Sequence, residues 1–286
     1  MDFNPSSIER LCVRSTDSLG DAVMSLAAIR AIRNAMRQGT SLLLVARPEL
    51  ADLFARENTV DRVIRYPAPR NFAARRAFAA QLREERFDCA LLLQNSFDAA
   101  LIAWMAAIPE RIGYKGGGRG WFLTRPIPVP RRGEIPRHTC SHYLELARRA
   151  GLIDHYRPCE PVLLENVETA RRAGSELLDA MGIAEPVIGI CPGAARGMRE
   201  RFAERGRALR PADGTVLVFG AGTELELELA ESVAREIPGA RNLAGLTLRD
   251  FIDLLACCGV ILCNDSSSVR QLASALGVPT APPPLR

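Results

Sequence analysis

Short apolar runs alternate with helix-period segments along almost the whole chain, which is the pattern of parallel sheets covered by helices. Leu11–Arg14, Ser41–Ala46, Arg62–Tyr66, Cys89–Gln94 and Arg111–Tyr114 read as strands. Helices are expected over about Gly20–Met36, near Glu49–Arg56, in the Arg- and Ala-rich stretch to Arg86, and near Asp98–Ala107. A polar, Pro-punctuated stretch from Gly151 to about Glu165 follows, then a helix to Met181 and a second series. Its strands are Pro186–Ile190, Thr215–Phe219, Arg241–Leu243 and Val260–Cys263; its helices are Arg199–Leu209, Glu224–Ile237, Leu248–Cys257 and Ser268–Leu276. With 286 residues, 48% of them hydrophobic, the chain is long enough for two cores. The expected fold is α/β, with two Rossmann-like doubly wound domains, residues 1–165 and 166–286, facing a cleft. The closing "GVPTAPPPLR" starts another strand and runs into prolines, so the second domain is expected to be truncated at its C-terminus.

Composition narrows the function classes. Net charge is +4, and the 37 basic residues, of which Lys115 alone is lysine, are spread along the chain. That favours acidic ligands or an anionic surface over a dedicated nucleic-acid stripe. The eight cysteines form no C-x-x-C pair and no Cys/His cluster at ligand spacing, so neither zinc nor a disulfide framework is expected. Cys12, Cys191 and Cys263 lie in apolar runs and read as reduced core thiols. His138 and His142 lack the carboxylate of a metal-binding helix motif, and metal is not expected. There is no apolar stretch of about 20 residues and no signal-peptide pattern, which predicts a soluble cytoplasmic protein.

Ligands of open α/β sheets bind outside the carboxyl ends of the strands, so the chemistry is sought there. Gly20-Asp21 follows the first strand, where a nucleotide-binding loop would carry several glycines and no carboxylate. Asp17 and Ser18 already offer capping oxygens, so Asp21 is a candidate general base toward a hydroxyl. In the second half, Pro192-Gly193-Ala194, Gly220-Ala221-Gly222-Thr223 and Asn264-Asp265-Ser266-Ser267 are small or polar turns. Each alone makes a turn or a cap; together they offer amides and hydroxyls to a diphosphate. Arg111 to Trp121 combines cations with a glycine loop, and Arg14, Lys115 and Arg119 are candidate ligands of an anionic acceptor.

These segments resemble glycosyltransferase family 9, the bacterial heptosyltransferases of lipopolysaccharide core assembly. The resemblance rests on "RSTDSLGDAVMSLAAIRAIR", "DRVIRY", "RIGYKGGGRGWFLT", "HYLELARRAGL", "GICPGAA", "VLVFGAG" and "RNLAGLTLRDFIDLLACCGVILCNDSS", in that order. It implies a GT-B architecture and an inverting, metal-independent transfer from ADP-L-glycero-D-manno-heptose. No cofactor is implied beyond that donor. Asp21 matches the family's Gly-Asp motif and its base. Asp265 and Ser266 match the donor-side Asp-Ser/Thr-Gly motif, Gly193 and Ala194 the first phosphate turn, and Glu224 a position near the adenosine. The implied partner is a lipid A-linked core oligosaccharide, met peripherally at the cytoplasmic face of the inner membrane.

The chain departs from that pattern in places. "NDSSSVRQ" carries no histidine where the family has one, and "ARGMRERFAERG" is shorter than the family's phosphate segment, so Arg196, Arg199 or Arg201 stands for its cation. A reading from another class is therefore a non-catalytic homologue that retains at most nucleotide or sugar binding. A nicotinamide oxidoreductase is disfavoured, since no glycine fingerprint with a downstream acid is found.

Overall fold

The computed structural model describes residues 4–157, 162–193, 198–264 and 268–282. The chain divides into two compact units, Met1–Val162 and Leu163–Arg286.

The first unit runs β1 (Arg10–Arg14), α1 (Leu19–Ala35), β2 (Ser41–Ala46), α2 (Ala51–Phe54), β3 (Arg62–Arg65), α3 (Phe72–Glu84), β4 (Cys89–Leu92), α4 (Phe97–Met105), β5 (Glu110–Tyr114), β6 (Arg125–Ile127) and α5 (Thr139–Arg149). Its six strands are all parallel, in the order β3-β2-β1-β4-β5-β6. Strands covered on both faces need apolar residues without alternation, and β1, β2 and β4 are buried almost end to end.

The second unit runs α6 (Val167–Ala180), β7 (Val187–Cys191), α7 (Arg199–Leu209), β8 (Thr215–Val218), α8 (Glu224–Glu236), β9 (Arg241–Asn242), α9 (Leu248–Cys257), β10 (Cys258–Cys263), α10 (Ser268–Ala275) and β11 (Thr280–Ala281). These strands are parallel as well, ordered β11-β10-β7-β8-β9. The prolines after "GVPT" therefore follow a short strand, β11, that pairs with β10 at the sheet edge.

Helix starts follow capping chemistry closely. Ser18, Asn71, Ser96, Thr223 and Thr247 each accept a hydrogen bond from the amide three residues on, satisfying one of the free donors at the helix start. β6 was not among the strands read from the sequence, and of α5 only the helical placing of His142 was, not its extent. β6 is three residues long and carries Pro126, which an edge strand tolerates because its outer side needs no donor. The helix expected over Glu49–Arg56 shrinks to a turn of 3₁₀ helix at Pro48–Leu50 and the four residues of α2.

Cys12, Cys191 and Cys263 are buried and outside any disulfide, and burial pushes the Cys12 thiol up to about 12, so it packs as a neutral group. Cys140 corrects the expectation of reduced thiols throughout: it is disulfide-bonded. It lies in α5, which packs on α1.

α5 is also clamped by Glu145, which is 3% exposed. Its carboxylate accepts from Arg148 Nε and Nη2 at 2.9 and 2.8 Å and from Arg149 Nε at 2.6 Å. These bonds, Arg148 foremost, hold it down from an ordinary 4.5 to about 2. In the second unit α6 presses on α9 through Gly174, where an added Cβ would lie 2.2 Å from the Asp253 carbonyl oxygen and 2.6 Å from Cys257 Sγ.

Two outcomes follow. Because the folded value of Glu145 is depressed, its stabilisation is complete above 4.5 and is lost as pH falls toward about 2. Urea melts across that window should show wild type losing stability faster than Glu145→Gln, and parallel curves would contradict the clamp. Gly174→Ala should lower stability by about 1–3 kcal/mol, overpacking outweighing the roughly 1 kcal/mol of helix propensity gained. A higher urea midpoint would remove the close α6–α9 contact as its cause.

Candidate functional site

Parallel pairing brings the carboxyl ends of all the strands in a sheet to one edge. In the first unit the order reverses between β1 and β4, the switch point at which such sheets bind ligands. Here the loops after the two strands are stitched together. Leu93 and Gln94 amides donate to the Arg14 carbonyl at 3.0 and 3.3 Å, and the Asp17 amide donates to Gln94 Oε1 at 3.2 Å.

Ser18 ends this loop and caps α1. Its Oγ accepts from the Asp21 amide at 3.2 Å and donates to Asp21 Oδ2 at 2.8 Å. Tyr143, from α5, donates its hydroxyl to the same carboxylate; burial first, and Asp21 next, raise the Tyr143 phenol and keep it protonated. Asp21 thus lies half-buried in the first turn of α1, oriented by two hydroxyls, with lone pairs left to accept a proton. His142 beside it stacks on Tyr114 at 4.3 Å, and burial lowers its imidazole toward the neutral form.

The three expected acceptor cations have separate fates. Arg14 is 5% exposed. It donates to the Ser15 carbonyl and to Asp17 at 2.7 Å, and its guanidinium lies 4.1 Å over the Tyr66 ring. Its Nε and the hydroxyl of Thr16 are buried without a hydrogen-bond partner among the described residues. Tyr66 in turn donates to Asp98, which also accepts from Arg75; burial, then Asp98, push the Tyr66 phenol up to about 12.

Arg119 corrects the picture of a loop cation open to an acceptor. At 2% exposure it donates to the Tyr114 carbonyl at 2.6 Å, the Gln94 carbonyl at 2.7 Å and Asn95 Oδ1, so it ties the loops after β4 and β5 together. Burial lowers it to about 10, which still leaves it charged at neutral pH. Lys115 is exposed and opens the loop Gly116–Gly118, whose φ values of +155°, +54° and +74° lie in the range that favours glycine.

In the second unit the order reverses between β7 and β10. Pro192 and Gly193 follow β7, and Gly193 turns the chain at φ +59° with open space where a Cβ would be. Asn264 follows β10. Ala194, Arg196, Asp265 and Ser266 lie outside the described residues. After β8, a Cβ on Gly220 would meet the Glu226 carbonyl oxygen at 2.8 Å, so this turn sits tightly on the start of α8. Thr223 caps that helix and donates to Glu226 Oε2 at 2.6 Å, which leaves Glu224 exposed in the first turn. Arg199 is drawn to Glu236 at 2.8 Å, and Arg201 is half-buried. Among the described residues no cluster of three or more His, Cys, Asp or Glu side chains is placed to hold a metal ion.

Tyr143, Tyr66, Arg75 and Asp98 joined the first-unit site only in three dimensions. "HYLELARRAGL" holds Tyr143, but nothing in its spacing says that α5 lands on α1.

Comparison with known proteins agrees with this geometry. A family model described as glycosyltransferase family 9 (heptosyltransferase) matches residues 75–281. Lipopolysaccharide heptosyltransferase 2 of Escherichia coli is 29% identical over 279 residues, covering 91% of this chain and 78% of that protein. The Salmonella typhimurium protein of the same name is 30% identical over 279 residues, with the same coverage. A solved structure, E. coli ADP-heptose lps heptosyltransferase II, matches with a TM-score of 0.81 at 26% identity, covering 96% of this chain and 84% of that one. The fold is α/β of the GT-B type.

Proposed function

This chain belongs to glycosyltransferase family 9, the heptosyltransferases, and we propose that it transfers heptose from ADP-L-glycero-D-manno-heptose to the lipid A-linked inner core of lipopolysaccharide, Kdo-lipid A or its heptosylated form. The names of its relatives, lipopolysaccharide heptosyltransferase 2 and ADP-heptose lps heptosyltransferase II, support this choice of acceptor class and donor.

The observation that carries the chemistry is the Asp21 carboxylate, held at the start of α1 by the Ser18 and Tyr143 hydroxyls. In this reading Asp21 takes the proton of an acceptor hydroxyl as that oxygen attacks the anomeric carbon of the heptose. The new C–O bond forms opposite the bond to the diphosphate, which breaks, so the configuration inverts and ADP leaves. No metal is needed if fixed donors meet the charge that develops on the diphosphate. We assign that work to the backbone amides of Gly193, Ala194 and Asp265 and to the Ser266 amide and hydroxyl, with Glu224 near the adenosine. Lys115 is the first-unit cation assigned to an anionic acceptor, whereas Arg14 and Arg119, both buried, hold their loops in shape.

Asp21→Asn should lower turnover by roughly 10²–10⁴ and leave ADP-heptose affinity, read by calorimetry, nearly unchanged. A parallel loss of donor binding would move Asp21 to the donor side, and unchanged turnover would end its role as the base.

A further inference from the structure

The outward face of α4 is apolar, although it is exposed. Ala99, Ala100, Ile102 and Ala103 turn inward, which leaves Phe97, Leu101 and Trp104 on the outer side at i, i+4, i+7 spacing. Phe97 is 48% and Trp104 52% exposed. The 3₁₀ turn Arg119–Phe122 lies alongside: Phe122 stacks edge-on with Phe97 at 5.2 Å and with Trp104 at 5.5 Å, and Trp121 stands 92% exposed. A contiguous aromatic patch on a surface marks a place where something docks.

We propose that this face of the first unit seats on an anionic lipid bilayer, with Trp121, Trp104 and Phe97 entering the headgroup boundary. Three features favour lipid over a protein groove or a second copy. The patch is built of Trp and Phe, whose amphipathic or flat rings suit an interface that is apolar on one side and wet on the other.

Cations also flank it. Arg76 is exposed on α3 two turns before Arg83 and so on the same side of that helix, which packs against α4, and Arg83 reaches across to donate to the Met105 carbonyl beside Trp104. Lys115 opens the loop whose Gly118 sits against the Phe97 ring. Such residues add to binding at an anionic leaflet.

Finally, the acid on α4 is neutralised, since Asp98 is taken by Arg75 and Tyr66, and α3 carries a single acid, Glu84, which follows Arg83 at its end. The inference gives the lipid-linked acceptor reading a docking surface and rests on that reading for its purpose. Its test uses neither donor nor acceptor, so the two can fail separately.

Trp104 and Trp121 are the two tryptophans of the chain, so the intrinsic emission of the intact protein reports on this patch alone. Vesicles of phosphatidylethanolamine with phosphatidylglycerol should shift that emission to the blue, and lipids brominated near the headgroup should quench it. Phosphatidylcholine vesicles or high salt should do much less. Trp121→Ser should weaken partitioning roughly tenfold or more, and Arg76→Gln and Arg83→Gln about fivefold each. Three results would overturn the proposal: no association with vesicles, association that leaves the emission unchanged, or a blue shift that grows with protein concentration when no vesicles are present. The last would put a second copy on the patch. Transfer to detergent-solubilised acceptor would then still stand or fall on its own.

Discussion

Parallel strand pairing is the constraint on which the rest of the structure depends. In each sheet it places every strand's carboxyl end along one edge, and a reversal of strand order there opens a crevice that no side chain of the sheet fills. In the first unit the reversal falls between β1 and β4, where Asp21, Arg14 and the Arg119-braced loops meet. In the second it falls between β7 and β10, where Gly193 turns. Moving either reversal by one strand would scatter these groups even if every helix stayed intact.

Much of that frame was legible in the sequence, for local reasons. Buried parallel strands must be continuously apolar, and Ser41–Ala46 is so plain an example that its bounds coincide with β2. Helix starts carry their own caps, which is why the starts of α8 and α9 fall where Thr223 and Thr247 place them. Asp21 stands out in the sequence because a nucleotide loop has no use for a carboxylate there, and the fold places it in the first turn of α1, beside the reversal of strand order. What stayed hidden depends on distant partners. Arg119 reads as a loop cation until the Tyr114, Gln94 and Asn95 oxygens are seen to consume its donors. Tyr143 has no local mark of its contact with Asp21. β6 is three residues long with a proline in the middle, too short for period-two patterning to register.

The same distinction separates the two kinds of cation in this arginine-rich chain. Arg14, Arg75 and Arg119 are internal struts: each satisfies carbonyls or carboxylates that burial would otherwise leave unpaired. Arg76 and Lys115 remain exposed, as do the aromatic residues Phe97, Trp104 and Trp121. Composition alone merges these roles, because a buried strut and a surface ligand contribute equally to net charge.

The central claim is group transfer, so the most direct measurement follows the acceptor itself. The purified chain would be incubated with ADP-heptose and Kdo-lipid A, or its heptosylated form, in a chelating buffer, with ADP release and acceptor mass followed together. The expected result is one heptosyl group gained by the acceptor for each ADP released. ADP release without a gain in acceptor mass, or no reaction of the folded protein with either acceptor, would contradict it.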